Sequence, residues 1–425
     1  MPEIASPPTP TPQAHANFFR QSGWLMIANI GGGMVFYMVH LLSKKITEAE
    51  YGAFGVMLAV AMCVPNMPLQ MVYAQLTARG LVTGRERALA GMIRLGAMAT
   101  LGLVLLLGLA VAFWHAQIMT AWKLPHPACL WITLAVVFLS LWLPIFLGVM
   151  QGQQNFLWMG WDNILNGVAR LAVAGTLVLC FGGAATEMIA GVCIGLMVAV
   201  GIGLWQTRGL WRLRADPFDV RELLSQIVPM MLGFGAVQFL FTADTMFVRA
   251  YFSERDSGFY VGAGTLSRAL LWLVLPLATV MFPKIVHSAA RSEKSNLLRL
   301  VLLGTVILAA SGALGLTVLA PYAVRFAFKA SYVEVAAQVL PWYAWAMVPL
   351  SLANVLVNNL LARSQFRIVP VLLLLAIAYG VALMHFHDQL VTVLKTLGVF
   401  NLLLLAASGW FTWRDGSETK PINAG

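Results

Sequence analysis

Four ionisable side chains, Asp162, Arg170, Asp244 and Arg268, lie inside apolar stretches long enough to cross a bilayer. A charge at the centre of a membrane helix costs roughly 3 kcal/mol on insertion scales, so each of the four needs a partner. A guanidinium offers a planar fork of N–H donors that fits a phosphate or a carboxylate. Such an arginine either grips an anionic substrate in a wet cavity or pairs with an acid to brace two helices. Asp162, Asn166 and Arg170 are spaced i, i+4, i+8, which puts them on one helical face. Arg170 and Arg268 both fall near the middle of their stretches at about 1.5 Å of rise per residue. Asp244 sits close to the end of its own. Two arrangements satisfy these residues. Asp244 with Arg268, and Asp162 with Arg170 through Asn166, form internal ion pairs, with Asp162 also able to snorkel to the interface. Alternatively, both arginines face a central cavity with the acids beside them.

Uncharged polar residues extend the pattern. Asn66 and Gln70 lie one turn apart on a stretch kinked by Pro65 and Pro68, and Asn354 and Asn358 repeat the spacing after Pro349. Such amides either hydrogen-bond between helices or line a cavity. The Gly191-xxx-Gly195 pair and the Gly31-Gly32-Gly33 run permit close helix packing, and the triplet is also a candidate hinge. His385 and His387 form an isolated H-x-H, and the four cysteines are too few for a disulfide framework. No metal-ligand spacing, phosphate-cradling loop or nucleophile motif is present, so no cofactor, metal or catalytic residue is expected.

The elements that hold these residues follow from composition. Of 425 residues, 60% are apolar and 10% are charged, against roughly 45–50% and ~25% in soluble domains. With a mean hydropathy of +0.80, this excludes a soluble enzyme, a nucleic-acid-binding module and a disordered chain. An all-α polytopic membrane protein remains, because lipid requires internally satisfied backbone. Twelve transmembrane helices are expected, at 22–42, 52–75, 90–113, 128–150, 158–181, 186–206, 226–248, 258–283, 297–320, 337–361, 366–385 and 390–412. They divide into two six-helix bundles, 20–206 and 226–413, related by pseudo-two-fold symmetry. A basic cytoplasmic linker (207–225) joins them, between a Pro-rich cytoplasmic tail (1–19) and a second tail (414–425). Placing both termini in the cytoplasm gives that side about twice the Lys and Arg of the other. The net charge of +10 is thereby explained without nucleic acid.

A faint internal repeat supports the two halves. Ser43 to Gly52, with Tyr51, is similar to Ser253 to Gly262, with Tyr260. The stretch Leu41 to Gly55, ending Glu50-Tyr51-Gly52-Ala53-Phe54, resembles the opening signature of O-antigen and polysaccharide flippases. The Gln151-Gly152-Gln153-Gln154-Asn155-Phe156 turn is similar to that family's Q-G-x-x-x-F. In the second half, Asp244, Gly258-Phe259-Tyr260, Arg268 and Pro283 resemble its D…G-x-Y…R…P pattern. The resemblance implies a Wzx-like flippase of the multidrug/oligosaccharidyl-lipid/polysaccharide (MOP) exporter superfamily, alternating between inward-facing and outward-facing forms in the inner membrane. Its substrate would be a polyprenyl-pyrophosphate-linked oligosaccharide for cell-surface polysaccharide. Its other partners would be membrane lipids and a polysaccharide polymerase or glycosyltransferases. The candidate cavity residues are then Arg170, Arg268, Asp162, Asn166, Asp244, Asn66, Gln70, Asn354 and Asn358.

Rival readings make different demands. A multidrug/cation antiporter should bury carboxylates without arginines. A peptidoglycan-precursor flippase usually has fourteen helices. A membrane polymerase or ligase carries a long external loop. A scaffold for glycosyltransferases needs no central arginine, and a major-facilitator carrier needs a fuller charge signature than Gly84-Arg-Glu-Arg-Ala88. The topology is directly testable. A cysteine placed at Glu254 should react from outside with an impermeant thiol reagent, and one at Arg85 only after permeabilisation; the opposite pattern would overturn the orientation.

Overall fold

The computed structural model describes residues 12–271 and 297–415, with side chains placed for 23–271 and 298–414. Among them, eleven helical segments are long and apolar enough to cross a membrane. The expected eighth span, 258–283, lies outside the described residues from 272 onward, as does Pro283. Its described part is a helix over 254–271. The chain is an all-α polytopic membrane protein.

The elements are α1 (Pro12–Met38), α2 (Glu48–Met62), α3 (Met67–Val82), α4 (Glu86–Phe113), the short α5 (His115–Ala121), α6 (Pro127–Gly152), α7 (Phe156–Phe181) and α8 (Ala185–Arg212). Then come α9 (Val220–Tyr251), α10 (254–271), α11 (Leu297–Val318), the short α12 (Ala320–Ala327), α13 (Val333–Ala362), α14 (Val369–His385) and α15 (Leu390–Asp415). Three boundaries differ from the sequence reading. Helix α1 reaches back into the expected tail because every proline of that tail precedes or opens it, and Pro12 at the first helical position lacks only an N–H that would be unpaired anyway. Helices α8 and α9 extend into the expected linker, leaving 213–219. Asp219 caps α9 by accepting from the backbone N–H groups of Arg221 and Glu222. The second span breaks at 63–66, where Pro68 stops the incoming helical ladder and opens α3.

In the first half α7 packs on α1 and α8, while α6 packs on α3 and α8; in the second, α13 packs on α11 and α15, and α14 on α9. Glycines set the closest approaches. A Cβ on Gly195 would lie 2.6 Å from the Asn166 carbonyl, and one on Gly32 2.9 Å from that of Asn163. Gly191 likewise meets Arg170 and Ala174. Gly32, Gly191 and Gly195 thus sit on the faces of α1 and α8 that pack against α7, whereas Gly31 and Gly33 have open space around them.

The halves meet along α2 and α9, and the seam is tightest at the end bearing the α1–α2 and α9–α10 turns. The two repeated turns face each other there. Gly52 abuts Ser257 and Gly258, and Gly258 abuts the Glu48 backbone. Arg249, only 1% exposed, fills the seam. Its Nε donates to the Trp122 carbonyl (2.9 Å), and one terminal nitrogen donates to the carbonyl of Lys123 (2.7 Å). The other terminal nitrogen donates to the Ala49 carbonyl (3.0 Å), the Glu254 carbonyl (3.3 Å) and Ser257 Oγ (3.0 Å). Lysines reinforce the closure across the halves: Lys123 donates to the Phe252 carbonyl, Lys44 to that of Phe326 and Lys329 to that of Ile46. Tyr51 packs on Phe328 and Tyr332, with ring centroids 5.6 and 6.3 Å away.

Truncating Arg249 would remove the donor from the part-buried carbonyls of Trp122 and Lys123, at about 1–3 kcal/mol for each that water does not reach. Arg249→Ala should therefore lower the thermal midpoint of the purified protein by several degrees. Arg255→Ala, at an exposed position of the same turn, should not. Equal midpoints would show that the seam does not depend on Arg249.

Candidate functional site

The two arginines singled out from the sequence have different surroundings. Arg268 on α10 is engaged through one terminal nitrogen, while its Nε, like that of Arg170, is buried without a hydrogen-bond partner. That nitrogen donates to both Asp244 oxygens (2.8 and 3.2 Å), to Thr245 Oγ1 (2.9 Å) and to the Phe241 carbonyl (3.1 Å). Asp244, fully buried on α9, also accepts from the hydroxyls of Tyr260 (2.8 Å) and Tyr343. The rings of Phe241 and Tyr343 lie 5.2 and 5.4 Å from the guanidinium. The Asp244–Arg268 pair expected from spacing is formed, and it ties α9, α10 and α13 together.

Arg170 on α7 has no such acid among the described residues. Its guanidinium lies over the Phe36 ring, 3.7 Å from the centroid, a cation–π arrangement worth about 2 kcal/mol when desolvated. Its Nε is buried without a hydrogen-bond partner. The expected Asp162–Asn166–Arg170 relay is not formed. Both Asp162 oxygens and Asn166 Oδ1 are buried with no partner, and Asp162 is fully buried rather than snorkelling to the interface. The reason is packing. This stripe of α7 is pressed against α8 at Gly191 and Gly195, while Phe36 on α1 holds the Arg170 head.

A polar bridge connects the two arginines. His40, within Coulombic reach of Arg170, hydrogen-bonds the Tyr51 hydroxyl through Nδ1 (2.8 Å). Tyr51 in turn hydrogen-bonds Thr265 Oγ1 (3.1 Å), one turn before Arg268. Tyr37, next to Phe36 in sequence, donates to the Thr265 carbonyl (3.4 Å). Within residues 36–40, Phe36 thus contacts Arg170, and Tyr37 reaches the backbone one turn before Arg268. This bridge lies immediately beneath the closed seam, since Tyr51 belongs to both.

The amides take smaller parts. Gln70 donates to Gln151 Oε1 (3.0 Å), Asn66 is exposed at the α2–α3 break, and Asn358 donates to Asn354 Oδ1 (3.0 Å). Gln238 of α9 donates to the Met62 carbonyl (2.9 Å), satisfying the end of α2 at the break. His385 caps its own helix through the Val381 carbonyl, and His387 stacks on Tyr251 (4.0 Å). Among the described residues no group of three or more His, Cys, Asp or Glu could hold a metal. Tyr37, His40, Tyr343 and Arg249 were not singled out from sequence, and Tyr51 and Tyr260 entered only through the repeated turns. The Phe36-Tyr-Met-Val-His40 run, polar rings inside an apolar stretch, was the available signal.

The contrast is testable. Removing one partner of a buried pair costs about 3–5 kcal/mol, so Arg268→Ala should sharply lower membrane abundance and thermal midpoint, and Asp244→Asn with Arg268→Gln should partly restore both. Arg170→Ala should leave both near wild type. A large loss for Arg170→Ala would reveal a structural pairing.

The model of the family "Lipid II flippase MurJ" matches residues 72–411, well over half of the chain. No curated protein is similar to it in sequence. Solved structures share the fold. A lipid II flippase MurJ in an inward closed conformation superposes with a TM-score of 0.72 at 13% identity, covering 92% of this chain and 87% of that one. An inward-facing multidrug resistance MATE family transporter of the MOP superfamily gives 0.70 at 9%, covering 92% and 96%, and an outward-facing one gives 0.64 at 12%, covering 93% and 95%. The helix-number argument against the peptidoglycan-precursor branch does not hold, because the shared core leaves part of the MurJ neighbour unmatched. The chain is a transporter rather than an enzyme, and it belongs to the lipid II flippase MurJ family within the MOP superfamily.

Proposed function

We propose that the protein flips a polyprenyl-pyrophosphate-linked saccharide across the cytoplasmic membrane by alternating access, with both termini cytoplasmic. The observation that carries this reading is Arg170: a buried guanidinium near the middle of its helix, cushioned on Phe36, with no acidic partner among the described residues. A bidentate phosphate contact would supply what its fork lacks. The bridge of Tyr37, His40 and Tyr51 offers hydroxyl and imidazole groups for sugar beside it. Arg268, held by Asp244, supplies positive potential from the other half without needing to move. The polyprenyl tail can remain in lipid while the headgroup crosses, since bare hydrocarbon would strip the phosphates of water at prohibitive cost.

With the termini inside, the end sealed around Arg249 is the external one, while Val72 and Leu76 of the first half cluster with Leu223, Met230 and Phe366 of the second at the opposite end. The family match favours a peptidoglycan precursor of the lipid II type as substrate. The Glu50-Tyr51-Gly52 and Asp244…Arg268 motifs favour a polysaccharide repeat unit, for which a polymerase or glycosyltransferases would act as partners. Both carry the same pyrophosphate. The two bundles, 20–206 and 226–413, would rock about the α8–α9 connection.

Reconstituted in proteoliposomes, the protein should move fluorescent lipid II or an undecaprenyl-pyrophosphate oligosaccharide between leaflets. Arg170→Lys keeps the charge but loses the fork, and should lower the rate tenfold or more at equal protein level. The faster of the two substrates identifies the class. Full activity of Arg170→Ala on both would remove the basis of the proposal.

A further inference from the structure

The two halves are not packed alike. In the first, the third spanning helix, α4, packs on both α6 and α8. The third spanning helix of the second half, α11, packs on α13, and α13 packs on α15, yet α11 and α15 make no comparable contact with each other. Between them runs a groove of about 450 Å³, lined by Leu302 and Val306 of α11, Leu352 and Leu356 of α13, and one stripe of α15 from Leu405 to Trp413. That volume falls within the roughly 300–1,000 Å³ of small-ligand sites. The wall is apolar throughout. Gly409 leaves room for the Trp413 ring, which a Cβ there would meet at 3.0 Å. Trp410 and Trp413 are more than half exposed beside the groove.

The rim of this groove is basic. Tyr332, at the start of α13, packs on Tyr51 at the Arg249 seam, so Leu352 and Leu356 near the other end of α13 lie towards the opposite membrane face. At that face each helix continues its share of the lining into an exposed arginine. Arg299 precedes Leu302 by one turn, Arg363 follows Leu356 by two, and Arg414 follows Trp410 by one. Among the residues with placed side chains, α11 and α15 carry no Asp or Glu, and α13 carries only Glu334, at the seam end. An apolar slot that ends in two indoles and three guanidiniums matches an amphiphile with a long chain and an anionic head. Indoles favour the headgroup level of a bilayer, and arginines there attract anionic lipid.

We propose that this groove holds one anionic phospholipid of the leaflet opposite the seam, with an acyl chain between α11 and α15 and its phosphate among Arg299, Arg363 and Arg414. The chain supplies the contact that α11 and α15 do not make with each other, so the lipid acts as a packing element of the second half. The phosphate takes charge-assisted hydrogen bonds from three helices at once. A zwitterionic lipid brings the same chain without net charge, so the rim discriminates against it, and does so most at low salt. Neither Arg170, nor Arg268, nor the Tyr37–Tyr51 bridge lines the groove. The occupant is therefore a resident lipid rather than the tail of a transported substrate, and the inference does not rest on the flippase reading.

Delipidated full-length protein is titrated with dioleoylphosphatidylglycerol or dioleoylphosphatidylcholine, bound lipid is counted by native mass spectrometry, and the thermal midpoint is followed. One phosphatidylglycerol should bind at least tenfold more tightly than phosphatidylcholine and raise the midpoint, and high salt should narrow the preference. Arg299→Gln with Arg363→Gln should weaken phosphatidylglycerol at least fivefold and leave phosphatidylcholine unchanged. Ala406→Phe, which fills the groove, should weaken both. Arg208→Gln, at an exposed arginine near the end of α8, should behave as wild type. Should the groove variants not fold, the wild-type protein still decides: phosphatidylglycerol with a photoactivatable group in mid-chain should crosslink to residues 302–306 and 405–413. Equal binding of the two lipids, arginine variants indistinguishable from wild type, or crosslinks only elsewhere would overturn the site. Displacement of phosphatidylglycerol by equimolar undecaprenyl phosphate would also overturn it, by assigning the groove to a polyprenyl tail. So would a change of oligomeric state in Ala406→Phe, which would show that a second copy fills the groove.

Discussion

A guanidinium removed from water must find acceptors for five N–H groups, and much of this structure can be read as three solutions to that requirement. Arg249 is satisfied by backbone carbonyls and a serine at the seam between the halves. Arg268 is satisfied by a carboxylate that is itself fixed by two tyrosines. Arg170 has an aromatic cushion and no acid. The first closes one end of the molecule and the second braces one half, whereas the third has no carboxylate beside it among the described residues. Side chains of one chemical type thus take a latch, a strut and a ligand-ready position according to which acceptors the fold brings near.

The seam explains the repeated turns. Gly52 and Gly258 lie where the two halves approach backbone to side chain, and a Cβ at either would collide with the other half. Close approach there brings the carbonyls of Ala49, Trp122 and Lys123 within reach of Arg249. It also places Tyr51 so that one face packs on Phe328 and Tyr332 while its hydroxyl takes part in the polar bridge below. Tyr51 therefore belongs both to the closure and to the candidate site. Opening the seam would disturb the hydrogen bond to Thr265 on α10, which gives the two events a shared physical element.

Legibility from sequence varied with the range of the interaction. Asp244 and Arg268 could be paired in advance because an acid and a base on helices joined by a tight turn have few other partners. The Asp162–Arg170 relay failed on the same logic. Spacing at i, i+4, i+8 places side chains on one face, but the direction each side chain takes depends on what packs there. Phe36 lies far from α7 in sequence, and the α8 glycines meet α7 only once the two neighbouring helices pack. Arg249 was counted as one more basic residue at a membrane surface, since nothing local distinguishes an arginine that snorkels from one that plugs an interface.

By itself the sequence determined the membrane-spanning class, the approximate helices, the break near Pro65 and Pro68 and the presence of costly charges at depth. All of these follow from the transfer free energy of each segment and from local backbone chemistry. It also carried the superfamily, through the short turns that the two halves press together. Only the tertiary structure decided that Arg170 lies on Phe36 without an acid beside it, that His40 and Tyr51 connect the two arginines, and that Asp162 has no partner among the described residues. Contacts such as Arg170 with Phe36 and Tyr51 with Thr265 join residues more than a hundred positions apart. Low dielectric makes each such distance energetically decisive, and periodicity along a single helix does not encode it.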